Sequence, residues 1–396
     1  MKLLLIVDDY LPYSKKVAAK MMHELAIQFY QNGHSVTVIT PHHKIKKNYN
    51  INVLDRIKII YFKNGKLKNI SKFKRAVNET LLSFNAKKNL NKYFISNSYN
   101  GIVCFSPSIF FGSLVTSLKK KWKCKSYLIL RDVFPQWTID NGLIKENSLI
   151  HKYFNFFEKI NYAAADRIGV MSNSNLKYFN KRFNNDSRFE VLFNWSSTLI
   201  KPQNKIVYRK KLSLENKVIF FYGGNIGTAQ QISNLVNLAK GLISRNEIHF
   251  VFVGNGDEVS ILKNQIKKDK LKNVTYLPAV NQDEYLIMLN EFDIGLFSLH
   301  HNHKTHNFPG KLLSYMNYEK PILGCVNSGN DLKDIINTNY AGFVSDTGNI
   351  KEMIKNALEL VDNISLRIKM GKNGKKLLLN RFSVKSAANT IERLFD

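Results

Sequence analysis

Apolar residues occur along this chain in short runs, and segments with helical periodicity separate these runs. Lys2–Val7 predicts a first strand, and Val17–Gln31 has the spacing of a helix that Gly33 closes. Ser35–Thr40 predicts a second strand, which Pro41 is expected to end. Because strands and helices alternate, the pattern predicts an α/β fold built on a doubly wound parallel sheet.

This alternation occurs twice, with the polar stretch Asn194–Lys205 between the two parts. The prediction is a Rossmann-like domain over 1–200, a second over 201–380, and a C-terminal helix over 381–396 that packs back on the first domain. Ile364–Phe395 is expected to be helical, with breaks at Gly374 and at Phe382 and Ser383. The other predicted strands are Ile57–Phe62, Gly101–Phe105, Ser126–Leu130, Asp166–Met171, Phe189–Phe193, Val218–Tyr222, His249–Gly254, Val274–Leu277, Ile294–Phe297 and Ile322–Val326.

Composition is consistent with two folded domains. The chain has 396 residues, of which 44% are hydrophobic, so a single core is less expected than two. No apolar run reaches the length of about 18 residues that a membrane span needs, and no signal-peptide pattern is present. A cytosolic protein is therefore expected. Its three cysteines are scattered and predict neither disulfides nor a zinc site.

The net charge of +29 predicts contact with polyanions. Basic residues are dense between Lys63 and Lys92, where apolar residues also recur at helical spacing, so a basic amphipathic helix or helix pair is predicted. Either the apolar stripe packs on its own domain, or the segment docks on an anionic membrane, or it binds nucleic acid. The stripe consists of Leu67, Ile70, Phe73, Val77, Leu81 and Phe84.

The segment from His303 to Val326 predicts a loop, a helix, a turn and a strand. Pro309 and Gly310 precede the helix, and Lys311 lies in its first turn. The unpaired N–H groups and the dipole of a helix N-terminus favour an anion, whereas a cation there is unfavourable unless an anion lies nearby. A phosphate site is therefore predicted; the alternative is an exposed lysine on an ordinary helix start.

Glycine-rich turns follow two strands of the second half, at Gly223–Gly227 and at Gly254–Gly256. Small residues let backbone approach a phosphate, although tight turns without a ligand look the same in sequence. The first half has no glycine motif after its first strand, which argues against NAD binding there. Arg131 and Asp132 follow another strand and predict either a sugar or acid/base site or a structural ion pair.

The chain resembles the retaining glycosyltransferases of family 4, whose GT-B fold has two Rossmann-like, doubly wound parallel-sheet domains facing across a cleft. The resemblance covers nearly the whole chain. The narrower resemblance is to bacterial N-acetyl-L-fucosamine transferases of O-antigen and capsule assembly. The segments that carry the resemblance are Gly33–Thr40, Gly223–Gly227, Val253–Gly256, Pro309–Met316 and Lys320–Leu323, and for the narrower group Asp8–Pro12, Leu130–Trp137 and Lys304–Lys311.

The resemblance implies that the second domain holds the nucleotide-sugar and the first binds the acceptor. Many family members carry two glutamates, near the donor sugar and at the ribose, where this chain has His306 and Ser314. A weaker ribose contact is therefore expected, with His306 donating to the sugar or phosphate. The predicted donor-binding residues are Gly224, Asn225, Gly227, Gly254, Asn255, Pro309, Gly310, Lys311, Leu312 and Ser314.

The expected catalytic residues are Asp132, His306 and Lys311. Departing UDP gains negative charge, so fixed cationic and N–H donors at the diphosphate stabilise the transition state. Asp132 is expected to orient the acceptor or to act as a base. No cofactor or metal is expected, because the chain has no Asp-x-Asp motif.

The resemblance therefore implies a hexosyltransferase that moves N-acetyl-L-fucosamine from its UDP-sugar to a polyprenyl-diphosphate-linked saccharide. The expected location is the inner face of the plasma membrane, where the anionic leaflet is a partner. A GT-B epimerase or hydrolase and a nucleic-acid-binding protein are the alternatives.

Overall fold

Two separate β-sheets organise the chain in the computed structural model, which describes residues 1–14, 16–68, 70–140, 142–198, 207–301 and 309–396. Residue contacts divide the chain into two compact units. The first unit is Met1–Trp195 together with Val384–Asp396, and the second is Ser196–Ser383. The boundaries predicted from the sequence, 200 and 380, differ from these by a few residues. The polar composition of the linker does not show at which residue the chain leaves one unit for the other.

The sheet of the first unit has eight strands in the order β3-β4-β2-β1-β5-β6-β7-β8. All neighbours are parallel except β3 and β4, which form an antiparallel hairpin. The strands are β1 (Lys2–Ile6), β2 (Ser35–His42), β3 (Tyr49–Leu54), β4 (Ile57–Lys63), β5 (Gly101–Ser106), β6 (Lys125–Leu130), β7 (Arg167–Val170) and β8 (Phe189–Val191).

Helices cover both faces of this sheet. Leu4 and Ile6 of β1 belong to the core on one face, while Leu3 and Leu5 belong to the core on the other. All four side chains are fully buried, so the strand reads as a continuous apolar run. The helices of this unit are α1 (Val17–Gln31), α2 (Lys72–Thr80), α3 (Leu82–Ser96), α4 (Gly112–Trp122), α5 (Gln136–Asp140), α6 (Leu149–Ala163) and α7 (Asn173–Arg182).

The second unit has a six-stranded parallel sheet in the order β11-β10-β9-β12-β13-β14. Chain order therefore reverses between β9 and β12, as in a Rossmann sheet. The strands are β9 (Val218–Gly223), β10 (Ile248–Val253), β11 (Val274–Leu277), β12 (Ile294–Ser298), β13 (Ile322–Val326) and β14 (Gly342–Asp346). The helices are α8 (Tyr208–Lys211), α9 (Ser233–Gly241), α10 (Val259–Lys268), α11 (Gln282–Glu291), α12 (Gly310–Asn317), α13 (Asp331–Thr338), α14 (Ile350–Asp362) and α15 (Ile364–Leu377).

The chain ends on the first unit, where the last helix, α16 (Val384–Glu392), packs against α1. The carboxylate of Glu392 accepts hydrogen bonds from the Asn32 amide at 2.8 Å and contacts His34 Nε2 at 3.0 Å. Phe395 lies under β5 so closely that a methyl group on Gly101 would come within 2.6 Å of its ring. The polypeptide therefore crosses between the two units twice.

The prediction of two doubly wound α/β domains is confirmed, and several element boundaries are corrected. Strand β2 continues through Pro41 to His42, so proline does not end it. Gly374 does not break α15; a π-helical turn follows that helix and Ser383 ends it. β3 and β14 were not predicted from the sequence. No helix among the described residues is long and apolar enough to cross a membrane.

Candidate functional site

The reversal of chain order in the second unit brings several loops together at one edge of its sheet. β9 pairs with β10 on one side and with β12 on the other, and all three run parallel. Their carboxyl ends therefore share an edge, which is where open α/β sheets bind ligands. Hydrogen bonds join the loops after β9 and β12, since the N–H of His300 donates to the carbonyl of Ala229 at 2.9 Å.

The two glycine-rich turns at this edge pack backbone against backbone. The N–H of Ile226 donates to the carbonyl of Asn255 at 2.9 Å. A methyl group on Gly254 would lie 1.8 Å from the carbonyl oxygen of Gly224, and one on Gly256 would lie 2.0 Å from that of Ile226. Only glycine fits these two positions, so the turns form one tightly packed backbone platform.

Lys311 reaches this platform from the first turn of α12. Its Nζ lies 3.5 Å from the centroid of the Tyr222 ring. The position of a Cβ on Gly224 would be 3.3 Å from Lys311 Cε and Nζ. The Lys311 amine thus lies where the predicted helix start meets the predicted glycine turn. It also contacts the ring of Tyr222, which the prediction did not include.

The environment of this amine disfavours its charged form. Burial lowers the pKa of Lys311 to about 7. The helix dipole acts in the same direction, because α12 begins at Gly310 with no side-chain cap after Pro309. The ring face of Tyr222 attracts the ammonium, but among the described residues no carboxylate forms an ion pair with Lys311. An anionic ligand would compensate for the missing countercharge.

Tyr315 fixes the position of α12 against the sheet. Its hydroxyl lies 3.0 Å from the carbonyl oxygen of Leu296, to which it donates, and it accepts a hydrogen bond from the N–H of Gly223 at 3.3 Å. The Tyr315 side chain is fully buried. The hydroxyl of Ser314, one residue earlier, forms a hydrogen bond with the phenol of Tyr285, which is half-buried. Lys311 therefore extends from a helix whose position is fixed by the buried Tyr315 and by the hydrogen bond between Ser314 and Tyr285.

The other predicted donor-binding residues differ in their exposure and hydrogen bonds. Gly224 and Gly310 are exposed, and Gly310 has open space where a side chain would be. The amide of Asn225 donates to Gln230 at 2.8 Å, and Asn255 Oδ1 accepts from the N–H of Ala279 at 3.4 Å.

Leu312 differs from this group, because its side chain is fully buried and only its backbone is available to a ligand. Gly227 and Gly254 are buried. The roles of all these residues stay predictions, and His306 lies outside the described residues.

Asp132 belongs to the first unit, where it follows β6 and is exposed. Desolvation by neighbouring protein atoms nevertheless raises the pKa of its carboxyl. The preceding Arg131 turns inward: its guanidinium donates to the carbonyl of Phe193 at 3.2 Å and lies 5.2 Å from the Trp195 ring centroid. No ion pair joins Arg131 to Asp132, although both residues are described, so the structural-pair alternative is not observed.

A pocket of about 350 Å³ lies where β1 and β2 of the first unit end. Asp8 and Asp9 line it; burial and the neighbouring Asp9 raise the pKa of Asp8 to about 6. The Asp9 carboxylate pairs with Lys68 and accepts a hydrogen bond from Ser14 at 2.5 Å. Sequence reasoning noted this loop but not the pocket, which requires the later residues Gly65–Lys68 to fold back onto it.

Among the described residues, no group of three or more His, Cys, Asp or Glu side chains is arranged to hold a metal ion. The expectation that no metal is needed stays a prediction.

A known protein family matches most of the second unit. Residues 204–377 match the family model described as Glycosyl transferases group 1. A probable glycosyltransferase of Pseudomonas aeruginosa, WbjE, is 23% identical over 222 residues, which are 55% of this chain and 55% of that protein. The chain therefore spans about half the length of this curated relative.

Solved structures match the whole chain. Sucrose-phosphate synthase from Thermosynechococcus elongatus matches 100% of this chain and 98% of its own, with 13% identity and a TM-score of 0.71. Anabaena HepE, solved in complex with UDP, matches 99% of both chains with 13% identity and a TM-score of 0.67. The chain shares its fold, GT-B, with these structures.

Proposed function

We propose that this chain, with its GT-B fold and its group 1 glycosyl transferase domain, is a retaining hexosyltransferase that uses a UDP-sugar donor. The observation that carries the proposal is the position of the Lys311 amine between Tyr222 and the Gly224 turn. Among the described residues, no carboxylate forms an ion pair with this amine. A diphosphate at this sheet edge would supply the missing negative charge. That similar structures were solved with UDP and with UDP-glucose supports this choice of donor.

The charge that develops during the reaction explains what Lys311 and the start of α12 would do. The bond between the sugar C1 and the diphosphate oxygen breaks, and its electron pair stays on UDP. The acceptor hydroxyl oxygen bonds to C1 on the same face, and its proton passes to the departing phosphate oxygen. The Lys311 ammonium and the first-turn N–H groups of α12 stabilise the negative charge, because fixed donors require no reorganisation as the charge develops.

Asp132 is proposed to position the acceptor hydroxyl. Its raised pKa makes its carboxylate a better hydrogen-bond acceptor than an ordinary aspartate. In a retaining reaction the leaving phosphate takes the proton, so Asp132 needs only to orient the hydroxyl group. His306 is proposed to donate to the donor sugar or phosphate.

The donor sugar is proposed to be N-acetyl-L-fucosamine, and the acceptor a polyprenyl-diphosphate-linked saccharide of O-antigen or capsule assembly. The resemblance of Asp8–Pro12 and Leu130–Trp137 to that group of transferases supports both choices. An acceptor with a polyprenyl tail lies in a membrane. The net charge of +29 fits a protein that works at the anionic inner leaflet of the plasma membrane.

A donor-turnover assay tests the proposal. Purified protein is incubated with UDP-N-acetyl-L-fucosamine, UDP-N-acetylglucosamine or UDP-glucose, with and without a bacterial polyprenyl-diphosphate saccharide extract, and released UDP is measured. The proposal predicts UDP release that requires the extract, with product that carries the sugar on the lipid. UDP release without extract would instead indicate a hydrolase or epimerase, and no release with any donor would contradict the proposal.

A further inference from the structure

An apolar stripe on the first unit is exposed where helices α2 and α3 meet. Its residues are four of the six in the predicted stripe, Phe73, Val77, Leu81 and Phe84, and they follow one another at helical spacing. The side chain of Phe73 is 79% exposed and that of Phe84 is 60% exposed. Large apolar side chains in such a row are typical of a surface that another apolar phase covers.

Helix α6 has a second exposed apolar face, which sequence reasoning did not single out. Leu149, Ile150, Tyr153 and Phe156 lie on it, and Leu149 is 84% exposed. The other side of α6 packs into the unit, where Glu158, Asn161 and Tyr162 are buried. Phe157 lies between the two sides, with its ring centroid 4.9 Å from that of Phe110. Apolar side chains of α6 therefore lie on its exposed face as well as on the side that packs into the unit.

The two apolar faces adjoin each other. The hydroxyl groups of Thr80, at the end of α2, and Tyr153, on α6, are in hydrogen-bond contact. The hydroxyl of Ser83, in the first turn of α3, donates to the carbonyl of Phe110 at 2.5 Å. Phe110 in turn packs on α6, so the helices share one side of the unit. We call this combined area the docking surface; its residues are Phe73, Val77, Leu81, Phe84, Leu149, Ile150, Tyr153 and Phe156.

Basic residues dominate the charge on the helices that carry the docking surface. The exposed ones are Lys74 and Arg75 of α2, Lys88 and Lys92 of α3, and Lys152 and Lys159 of α6. The acids on the same helices are Glu79, which pairs with Arg75 at 2.8 Å, and Glu158, which is buried in a pair with Arg182. The surface thus offers apolar area beside cations that are not matched by acids on these helices.

We propose that the docking surface inserts into the headgroup region of an anionic lipid bilayer. Apolar rings would enter the acyl boundary, while the long lysine side chains extend to the lipid phosphates. Tyr153 has an apolar ring and a polar hydroxyl, which suits the boundary between lipid and water. This proposal rests on the proposed function only for the nature of the acceptor. Basic residues alone would attach the protein to the membrane by electrostatic attraction, and the docking surface adds an apolar contribution to that attachment.

The presence of two components determines how binding responds to salt. Attraction between lysines and lipid phosphates weakens steeply as salt screens it, whereas burial of apolar side chains does not. Binding to vesicles of phosphatidylcholine with about a third of phosphatidylglycerol should therefore fall with salt to a plateau above zero. Vesicles of phosphatidylcholine alone should bind the protein weakly at all salt concentrations.

Vesicle flotation of matched variants tests the docking surface. In one variant Phe73→Ser and Leu149→Ser remove the two most exposed apolar side chains of the surface. In the control, Ile364→Ser and Ile368→Ser remove exposed apolar side chains of α15 in the second unit. All four side chains are more than half exposed, so melting temperature and UDP binding should remain those of the wild type.

The surface variant should bind anionic vesicles roughly tenfold more weakly and lose the salt-resistant plateau, while the control keeps both. A Lys74→Ser, Arg75→Ser variant should keep the plateau and lose affinity at low salt. Unchanged vesicle binding by the surface variant would overturn the inference, even with UDP binding intact. A concentration-dependent dimer that the surface variant abolishes would also overturn it, because a second copy of the chain would then cover the surface.

Discussion

The pKa of Lys311 makes UDP binding depend on pH in a way that can be calculated. In the free protein this pKa is about 7, compared with an ordinary value of 10.5. A diphosphate beside the amine should restore the ordinary value, because it supplies the absent countercharge. Binding must then take up a proton, which amounts to about 0.8 proton per UDP at pH 7.5 if the bound pKa is restored completely.

The same linkage sets the size of the effect on affinity. Between pH 7.5 and pH 8.5 the free amine loses most of its remaining charge, so UDP affinity should fall about eightfold, or roughly 1.2 kcal/mol. UDP itself does not change its phosphate charge appreciably in this range. The slope therefore reports on a group of the protein.

The unliganded protein should respond to pH with the opposite sign. Because the folded pKa of Lys311 lies below its unfolded value, the unfolded state binds more protons between pH 7 and about 10.5. The Lys311 contribution to the free energy of unfolding therefore rises with pH across this window. UDP binding should remove that rise.

Isothermal titration calorimetry in two buffers of different ionisation enthalpy measures both the affinity and the proton uptake. Lys311→Arg keeps a charge that does not titrate here, so it should bind UDP without the pH slope. Lys311→Met should bind at least tenfold more weakly, also without the slope. Lys351→Met, at an exposed position of α14, is the control and should keep both. A flat pH profile in the wild-type protein, with no proton uptake, would refute the reasoning.

Other substitutions test separate parts of the account. Gly254→Ala forces a methyl group into a backbone carbonyl, so it should lower the melting temperature and abolish UDP binding, whereas Gly310→Ala, which has open space, should melt like the wild type. Asp132→Asn should reduce sugar transfer more than a hundredfold while UDP affinity in calorimetry stays unchanged. Glu158→Ala leaves Arg182 without its partner and should cost about 3–5 kcal/mol of unfolding free energy in urea denaturation, an effect that wild-type stability of this variant would contradict.

Hydrophobic pattern predicted those elements that are buried or that end at a clear signal. The bounds of α1 agree with the prediction, because its apolar spacing ends before Gly33, whose φ of +88° only glycine adopts readily. β11 and β13 also agree. β3 was missed because it is an exposed edge strand whose sequence, YNINVL, alternates asparagine with apolar residues. β14 contains only two large apolar residues and gives no run to detect.

Glycine was a less reliable signal inside helices. The predicted break at Gly374 is wrong, because this residue lets α15 pack near Met316 and Ala341. Gly371 has a similar role, since a methyl group there would lie 1.9 Å from the carbonyl oxygen of Glu319. A glycine at a helix crossing and a glycine that ends a helix look alike in a single sequence.

The parts of the candidate site that depend on a short stretch of sequence could be predicted, whereas the parts that depend on how distant residues pack could not. The helix start at Lys311 and the turn at Gly224 have recognisable sequence patterns, and the structure places them in contact. Tyr222 was missed because it reads as the last apolar residue of a strand, and its ring meets the amine only in the folded sheet. Likewise, the exposed face of α6 was not recognised, because aromatic and aliphatic residues occur around most of this helix, including the partly buried Phe154 and Phe157.

Thermal melting of the wild-type protein with a nucleotide panel tests the central claim most directly. The panel contains UDP, GDP, dTDP, NAD and a short oligonucleotide, each with and without EDTA. A ligand at about 100 times its dissociation constant adds roughly 2.7 kcal/mol, which produces a clear shift of the melting temperature. The account predicts stabilisation by UDP that EDTA does not change. Stabilisation by the oligonucleotide and not by UDP would contradict it and assign the function to the basic surface.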